Sequence, residues 1–209
     1  MQLQTTVGAP SSSQAPGQQP NLRAGAMSDL IVSEFMGRYA ESTYRRQNFS
    51  AATQAALATT AGLATAYTGL ILSNPVGSGV NLHLNKVGYA SIVAQATALA
   101  VGIMVGFNAG TNVTHTTPAA PKSNFVGVGV AGVGLVDTAA TMPTAPTLQA
   151  LLGSIDTGAV TTVTVSGLTV VDLESSIILP PGAYAALYTS AASAAASLLA
   201  SIGWQELPA

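Results

Sequence analysis

Val93-Ala94-Gln95-Ala96-Thr97-Ala98-Leu99-Ala100-Val101-Gly102-Ile103-Met104-Val105-Gly106-Phe107 is the stretch that decides the fold class. Its bulky residues Val93, Leu99, Val101, Ile103, Val105 and Phe107 fall on odd numbers; Ala94, Ala96, Ala98, Ala100, Gly102 and Gly106 fall on even ones, and Met104 is the exception. A period of two puts large side chains on one face of a pleated strand and small ones on the other, whereas on a helix the same residues would scatter around the circumference. The wider segment Val87 to Pro121 contains no Asp, Glu, Lys or Arg and includes Gly102-x-x-x-Gly106, so a membrane span has to be weighed. The alternation, Gln95 and the many threonines argue for strands and against a span.

Outward from this segment the same period recurs. Asn74-Pro75-Val76-Gly77-Ser78-Gly79 has turn chemistry, and after it Val80, Leu82 and Leu84 alternate with Asn81, His83 and Asn85 as in a half-buried strand. Phe125 to Val136 alternates again and shifts parity near Ala131-Gly132, which predicts a bulge. Thr161 to Val165, Leu168 to Leu173, Tyr184 to Thr189 and Ile202 to Leu207 read as further strands, with Pro180-Pro181-Gly182 as a turn. The Ala-rich run Ala191 to Ala200 suits a short helix or a loop. Many short strands separated by Gly, Pro and Thr turns predict an all-β fold, a two-sheet β-sandwich that is jelly-roll-like, over residues 37–209.

Residues 1–36 read as an extended N-terminal arm. The first 26 are rich in Gln, Ser, Thr, Pro and Gly and hold too little apolar area to offset chain entropy. Ser28-Asp29 suits the cap of a short helix carrying Ile31, Phe35 and Tyr39 at a spacing of four, with a strand expected around Tyr39 to Ser50. Met1 to Gly8 has neither a basic region nor an apolar run of signal-peptide length, which predicts synthesis in a cytoplasm without a secretory leader.

Charge is the other informative property. Only 7% of residues are charged, and from Gln47 onward the charged side chains are Lys86, Lys122, Asp137, Asp156, Asp172, Glu174 and Glu206. A soluble domain ordinarily carries about a quarter of its residues as charges, so this surface is expected to be covered by copies of the chain or by partners. The basic residues are too few for a phosphate-tracking stripe, which argues against nucleic acid. Cysteine is absent, so disulfides, thiolate metal sites and cysteine nucleophiles are excluded.

Motifs for chemistry are weak. Gly127-Val-Gly129-Val-Ala-Gly132 matches the dinucleotide fingerprint in letters, but its glycines lie in an alternating strand with no helix pattern after them, so no cofactor is expected. His83 and His115, the two histidines, have no carboxylate or second histidine at ligand spacing, and both read as surface or interface hydrogen-bonding groups. Asp172-x-Glu174 places two carboxylates on one strand face, too few oxygens for a calcium site, so no metal is expected. Ser and Thr abound without a base and orienting acid nearby, and no catalytic residue or small-molecule substrate follows. Arg38, Arg45 and Arg46, interleaved with Tyr39 and Tyr44, form the basic cluster, and these residue types anchor protein interfaces through forked hydrogen bonds and rigid area.

Several segments are familiar as a set: Gly37-Arg38-Tyr39-Ala40-Glu41 leading to Asn48-Phe49-Ser50-Ala51, Asn74-Pro75 with Gly77-Ser78-Gly79-Val80-Asn81-Leu82, Leu179-Pro180-Pro181-Gly182-Ala183-Tyr184, and Trp204-Gln205-Glu206-Leu207-Pro208. In that order they resemble small virion structural proteins of tailed bacteriophages, the kind that form trimeric jelly-roll decorations, or cement, on the head. The resemblance covers roughly residues 37 to 208. It implies a homotrimer on the capsid surface where major capsid subunits meet, with the arm or the arginine-bearing segment reaching the shell, and no catalytic residues. Related jelly rolls also serve as tail-fibre or receptor-binding modules, which would present loops near Asn108 to Asn124 and Thr138 to Thr147 to a host glycan.

Overall fold

The computed structural model describes residues 37–127, 130–156 and 166–209. The N-terminal arm with its capped helix, the strand Thr161 to Val165, and Val128-Gly129 of the fingerprint lie outside the described residues. The chain divides into two units, Met1–Ala40 and Glu41–Ala209. Of the first, residues 37–40 form a turn in which the Ala40 N–H donates to the Gly37 carbonyl at 2.9 Å.

One short helix, α1 (Ala40–Tyr44), stands where the sequence predicts a strand from Tyr39. Ala and Glu favour helix at its start. Its exit is fixed by polar contacts: Arg46 N–H donates to Thr43 O at 2.9 Å, Gln47 N–H to Ser42 O at 3.0 Å, and Arg46 takes the left-handed φ of 60° that ends helices. The Asn48 amide then donates to the hydroxyls of Ser42 at 2.7 Å and Thr43 at 3.1 Å. The strand therefore starts only at Asn48.

The strands, in chain order, are β1 (Asn48–Ala52), β2 (Ala66–Ser73), β3 (Val80–Ser91), β4 (Leu99–Phe107), β5 (Thr114–His115), β6 (Pro118–Ala119), β7 (Lys122–Ser123), β8 (Leu135–Thr141), β9 (Thr147–Ile155), β10 (Ser166–Asp172), β11 (Ile178–Leu179), β12 (Ala183–Thr189) and β13 (Leu198–Pro208). They make two antiparallel sheets. Sheet I runs β10-β3-β13-β1-β7 with β11 also on β3, and sheet II runs β5-β8-β2-β12-β4-β9 with β6 also on β8. The pairing is nested: β1 joins β13, β2 joins β12, β3 joins β10 and β4 joins β9, as though a long ribbon had been doubled back on itself.

The fold is thus all-β, and its two sheets face each other across one core. Leu70, Leu72, Leu99, Val101, Ile103, Val136, Ala185 and Leu187 of sheet II meet Phe49, Leu82, Leu84, Val87, Tyr89, Ile202 and Trp204 of sheet I. Trp204, fully buried, stacks on Phe49 with ring centroids 6.0 Å apart. Burying one such side chain contributes about 1.5–3 kcal/mol, so this layer carries most of the stability.

The alternation that decided the class holds from Leu99 to Val105, with Leu99, Val101, Ile103 and Val105 facing this core, while Phe107 at the strand end is exposed. Met104 faces the other way. It joins a second cluster on the outer side of sheet II, with Tyr67, Ile71, Tyr184 and Ala186 from the strands and Val113 and Met142 from connections. Tyr184 lies opposite Gly106, where an added methyl would overlap the phenol ring, so the small residue of the alternation makes room for an aromatic one. Residues 92–98 are not strand. There the buried Gln95 donates to Ser91 Oγ at 2.9 Å and accepts from the Ala194 N–H at 2.8 Å, drawing the chain out of the ladder. That contact also holds residues 190–197 as a loop, and β13 begins only at Leu198.

The parity change of β3 was not foreseen. Leu84 pairs with Trp204 and Lys86 with Gly203, leaving Asn85 as the extra residue of a bulge. Leu82 and Leu84 before it and Val87 and Tyr89 after it all reach the core. The expected strand from Phe125 to Val136 is instead a bend at Asn124 to Gly127 and an irregular stretch at 130–134, with strand only from Leu135. The reason is a carboxylate. Glu206, 9% exposed, accepts from Val133 N–H at 2.9 Å, Gly134 N–H at 2.9 Å and Trp204 Nε1–H at 3.1 Å, taking the backbone donors a ladder would have used. Thr138 to Thr141, offered as part of a loop, belong to β8.

Candidate interaction surface

The sequence-selected cluster is divided by the fold. Arg38 and Tyr39 sit in the turn of the first unit; Tyr44, Arg45 and Arg46 sit at the end of α1 and just after it, all three exposed. The Tyr44 ring packs edge-on against Phe125 with centroids 5.6 Å apart. Arg45 and Arg46 flank a junction pinned from beneath by Asn48, whose Oδ1 accepts from the Asn85 amide at 3.3 Å, while Asn85 Oδ1 accepts from Ser175 Oγ at 3.2 Å. The bulge residue of β3 is thereby satisfied, and the basic turn leads directly into β1 of sheet I.

A second surface was not anticipated. The outer side of sheet I presents Leu168 (70% exposed) and Val170 (56%) from β10 and Ile178 (48%) from β11. Beside them the register sets Gly88, Ser201 and Ala52 in one row and Gly203 and Ser50 in the next. Gly88, Ser201, Ala52, Gly203 and Ser50 themselves raise no large side chain. Charges on this face include Lys86 and Asp172, opposite each other in register, and Lys122, the partner of Ser50. On sheet II the edge strand β9 exposes Leu148 and Leu151. In sequence, the signal was the even-numbered pair Leu168 and Val170 within an alternating strand, which says that two faces differ but not which one is dry.

The chemistry-bearing side chains are mostly committed. Asp172 Oδ1 accepts from the Glu174 N–H at 3.1 Å, closing a turn in which Glu174 and Ser175 take left-handed φ. Among the described residues no group of three His, Cys, Asp or Glu could hold a metal. After Gly132 of the fingerprint comes β8 rather than a helix. The Tyr67 hydroxyl donates to the Leu187 carbonyl, and burial pushes its phenol pKa up.

One histidine meets a carboxylate that does not stand at ligand spacing in the sequence. His115 Nδ1 contacts Asp137 Oδ2, and Asp137 is fully buried. Spacing could not reveal it, because β5 and β8 come together only through the pairing of Thr114-His115 with Thr141 and Ala140. The usable signal was Asp137 itself, a lone ionisable group in an apolar strand. Its Oδ1 finds no hydrogen-bond partner among the described residues, and neither does Oδ1 of Asn74.

Among the described residues no helix is long and apolar enough to cross a membrane. No family model matches the chain, and neither a curated protein nor a solved structure matches it.

Proposed function

We propose that this chain is a structural protein of a bacteriophage virion: a jelly roll that assembles as a homotrimer and cements major capsid subunits on the head surface. The observation that carries the reading is the outer face of sheet I, low in relief around Gly88, Ser201 and Ala52, with Leu168, Val170 and Ile178 exposed on it. Exposed apolar side chains on a sheet face are kept out of water by association. The nested strand order supports the jelly roll, since β10-β3-β13-β1 and β9-β4-β12-β2 are the two four-stranded sheets that a doubled ribbon gives when it is rolled up.

In the mechanism, no single contact need be strong. A trimer offers three copies of each contact, and linking them raises the effective affinity for a lattice of capsid proteins. The exposed arginines Arg45 and Arg46, with Tyr44 and the turn residues Arg38 and Tyr39, are the groups assigned to the capsid, and the outer face of sheet I is assigned to sister subunits. Light scattering on the purified chain gives a trimer mass on this reading. Densitometry of purified virions gives hundreds of copies per particle; a monomer, or a few dozen copies as in a tail fibre, overturns it.

A further inference from the structure

We infer that the contact between copies is head to tail: the β10 face bearing Leu168, Val170 and Asp172 in one subunit seats in a groove at the opposite end of sheet I in the next. This rests on the trimer proposed above and names the surface that the exposed face meets.

The groove has a volume of about 500 Å³ and lies where the chain crosses from β6 on sheet II to β7 on sheet I. Ala52, Ala55, Leu57, Ala119 and Ala120 give it an apolar lining, and the one charged residue among its walls is Lys122. Short side chains leave room there for bulk supplied from outside. The ladder fixes the order along the groove. Lys122 stands opposite Ser50 at one end, Ala52 follows two residues on, and Leu57, bridged to Leu198, stands at the other end.

The β10 face carries the matching order. Leu168, Val170 and Asp172 are all exposed, two apolar side chains followed by an acid. Asp172 and Glu174 outnumber Lys86 at that end of the sheet, so it is net negative where the groove end is positive. Within one subunit the two surfaces do not meet. β10 and β7 are the edge strands of sheet I with β3, β13 and β1 between them, a separation of about 19 Å at about 4.8 Å per strand. Two unlike surfaces that suit each other on one chain, and lie too far apart to touch, make a heterologous contact. Such contacts close into rings, whereas a contact of sheet I with its own copy about a two-fold axis would stop at a dimer.

Ala55→Glu sets a carboxylate in the groove at an exposed position, and light scattering should then give monomer mass with the unfolding midpoint unchanged. Lys122→Glu should weaken the trimer by about tenfold or more. Complementation tests the pairing itself. The double variant Leu168→Lys with Val170→Lys keeps the groove, and Ala55→Glu keeps the β10 face. Mixed at high concentration, these two monomers should form a 1:1 dimer through the single contact left whole, and neither should dimerise alone. Should Ala55→Glu not fold, Lys122→Glu takes its place in the mixture. A trimer that survives both groove variants, or variants that fail to pair, overturns the head-to-tail contact and leaves the trimer standing; a wild-type chain of monomer mass overturns the trimer as well.

Discussion

The outer sides of the two sheets both carry large apolar residues and end differently. On sheet II, Tyr67, Met104 and Tyr184 stand up from the strands, and the chain covers them with its own connections, through Val113 and Met142. On sheet I, Gly88, Ser201, Gly203 and Ala52 lie flat, and Leu168, Val170 and Ile178 stay in the open. The difference teaches that a large residue facing away from the main core is not by itself an assembly signal. What matters is whether a connection of the same chain reaches it.

The sharpest way to break this comparison is to truncate one residue on each side. Tyr184→Ala is expected to cost about 3–5 kcal/mol in denaturant unfolding, since it removes a buried ring, whereas Val170→Ala in the isolated subunit should stay within about 0.5 kcal/mol. Equal costs would mean that the outer side of sheet I is covered too. Next in size, Glu206→Gln should cost about 2 kcal/mol, because a charged acceptor of two backbone donors and the Trp204 indole becomes neutral; a neutral result would show that the 130–134 stretch holds its course without it.

A smaller effect is read from pH. The Tyr67 phenol keeps its proton in the fold at a pH where the unfolded chain releases it, so the folded state binds more protons above the ordinary tyrosine value. Stability is full below about pH 10 and falls above it by about 1.4 kcal/mol per unit. In Tyr67→Phe that part of the alkaline loss should vanish, and an unchanged profile would place the sensitivity elsewhere. Smallest in stability, yet decisive for assembly, Leu168→Lys with Val170→Lys should leave the subunit's unfolding midpoint nearly unchanged while light scattering drops from trimer to monomer mass. A trimer that survives both lysines would move the contact to another face.

Much of this fold was legible in the sequence, and the misses have physical causes. β4, the Asn74 to Gly79 turn, β12 and the final strand follow from period two and turn chemistry, which are local. Met104 broke the alternation because a second cluster exists on the far side of its sheet, something one strand cannot announce. Residues 92–98 and 125–134 look like strands until Gln95 and Glu206 take their backbone or neighbouring donors, and both of those contacts are distant in sequence. The bulge at Asn85 escaped because its two halves each alternate correctly. The basic cluster was found from composition, whereas His115 with Asp137 needed the pairing of β5 with β8.

The union of β1 with β13 has a consequence for how the molecule is made. Asn48–Ala52 lies between β13 and the short β7, and Gln205, Trp204 and Ile202 supply its partners along its length. While the chain is still being translated, that early segment waits with its edge exposed until the last strand leaves the ribosome. Closure over so long a loop is slow, and the near absence of charge leaves little to keep two nascent chains apart in the meantime.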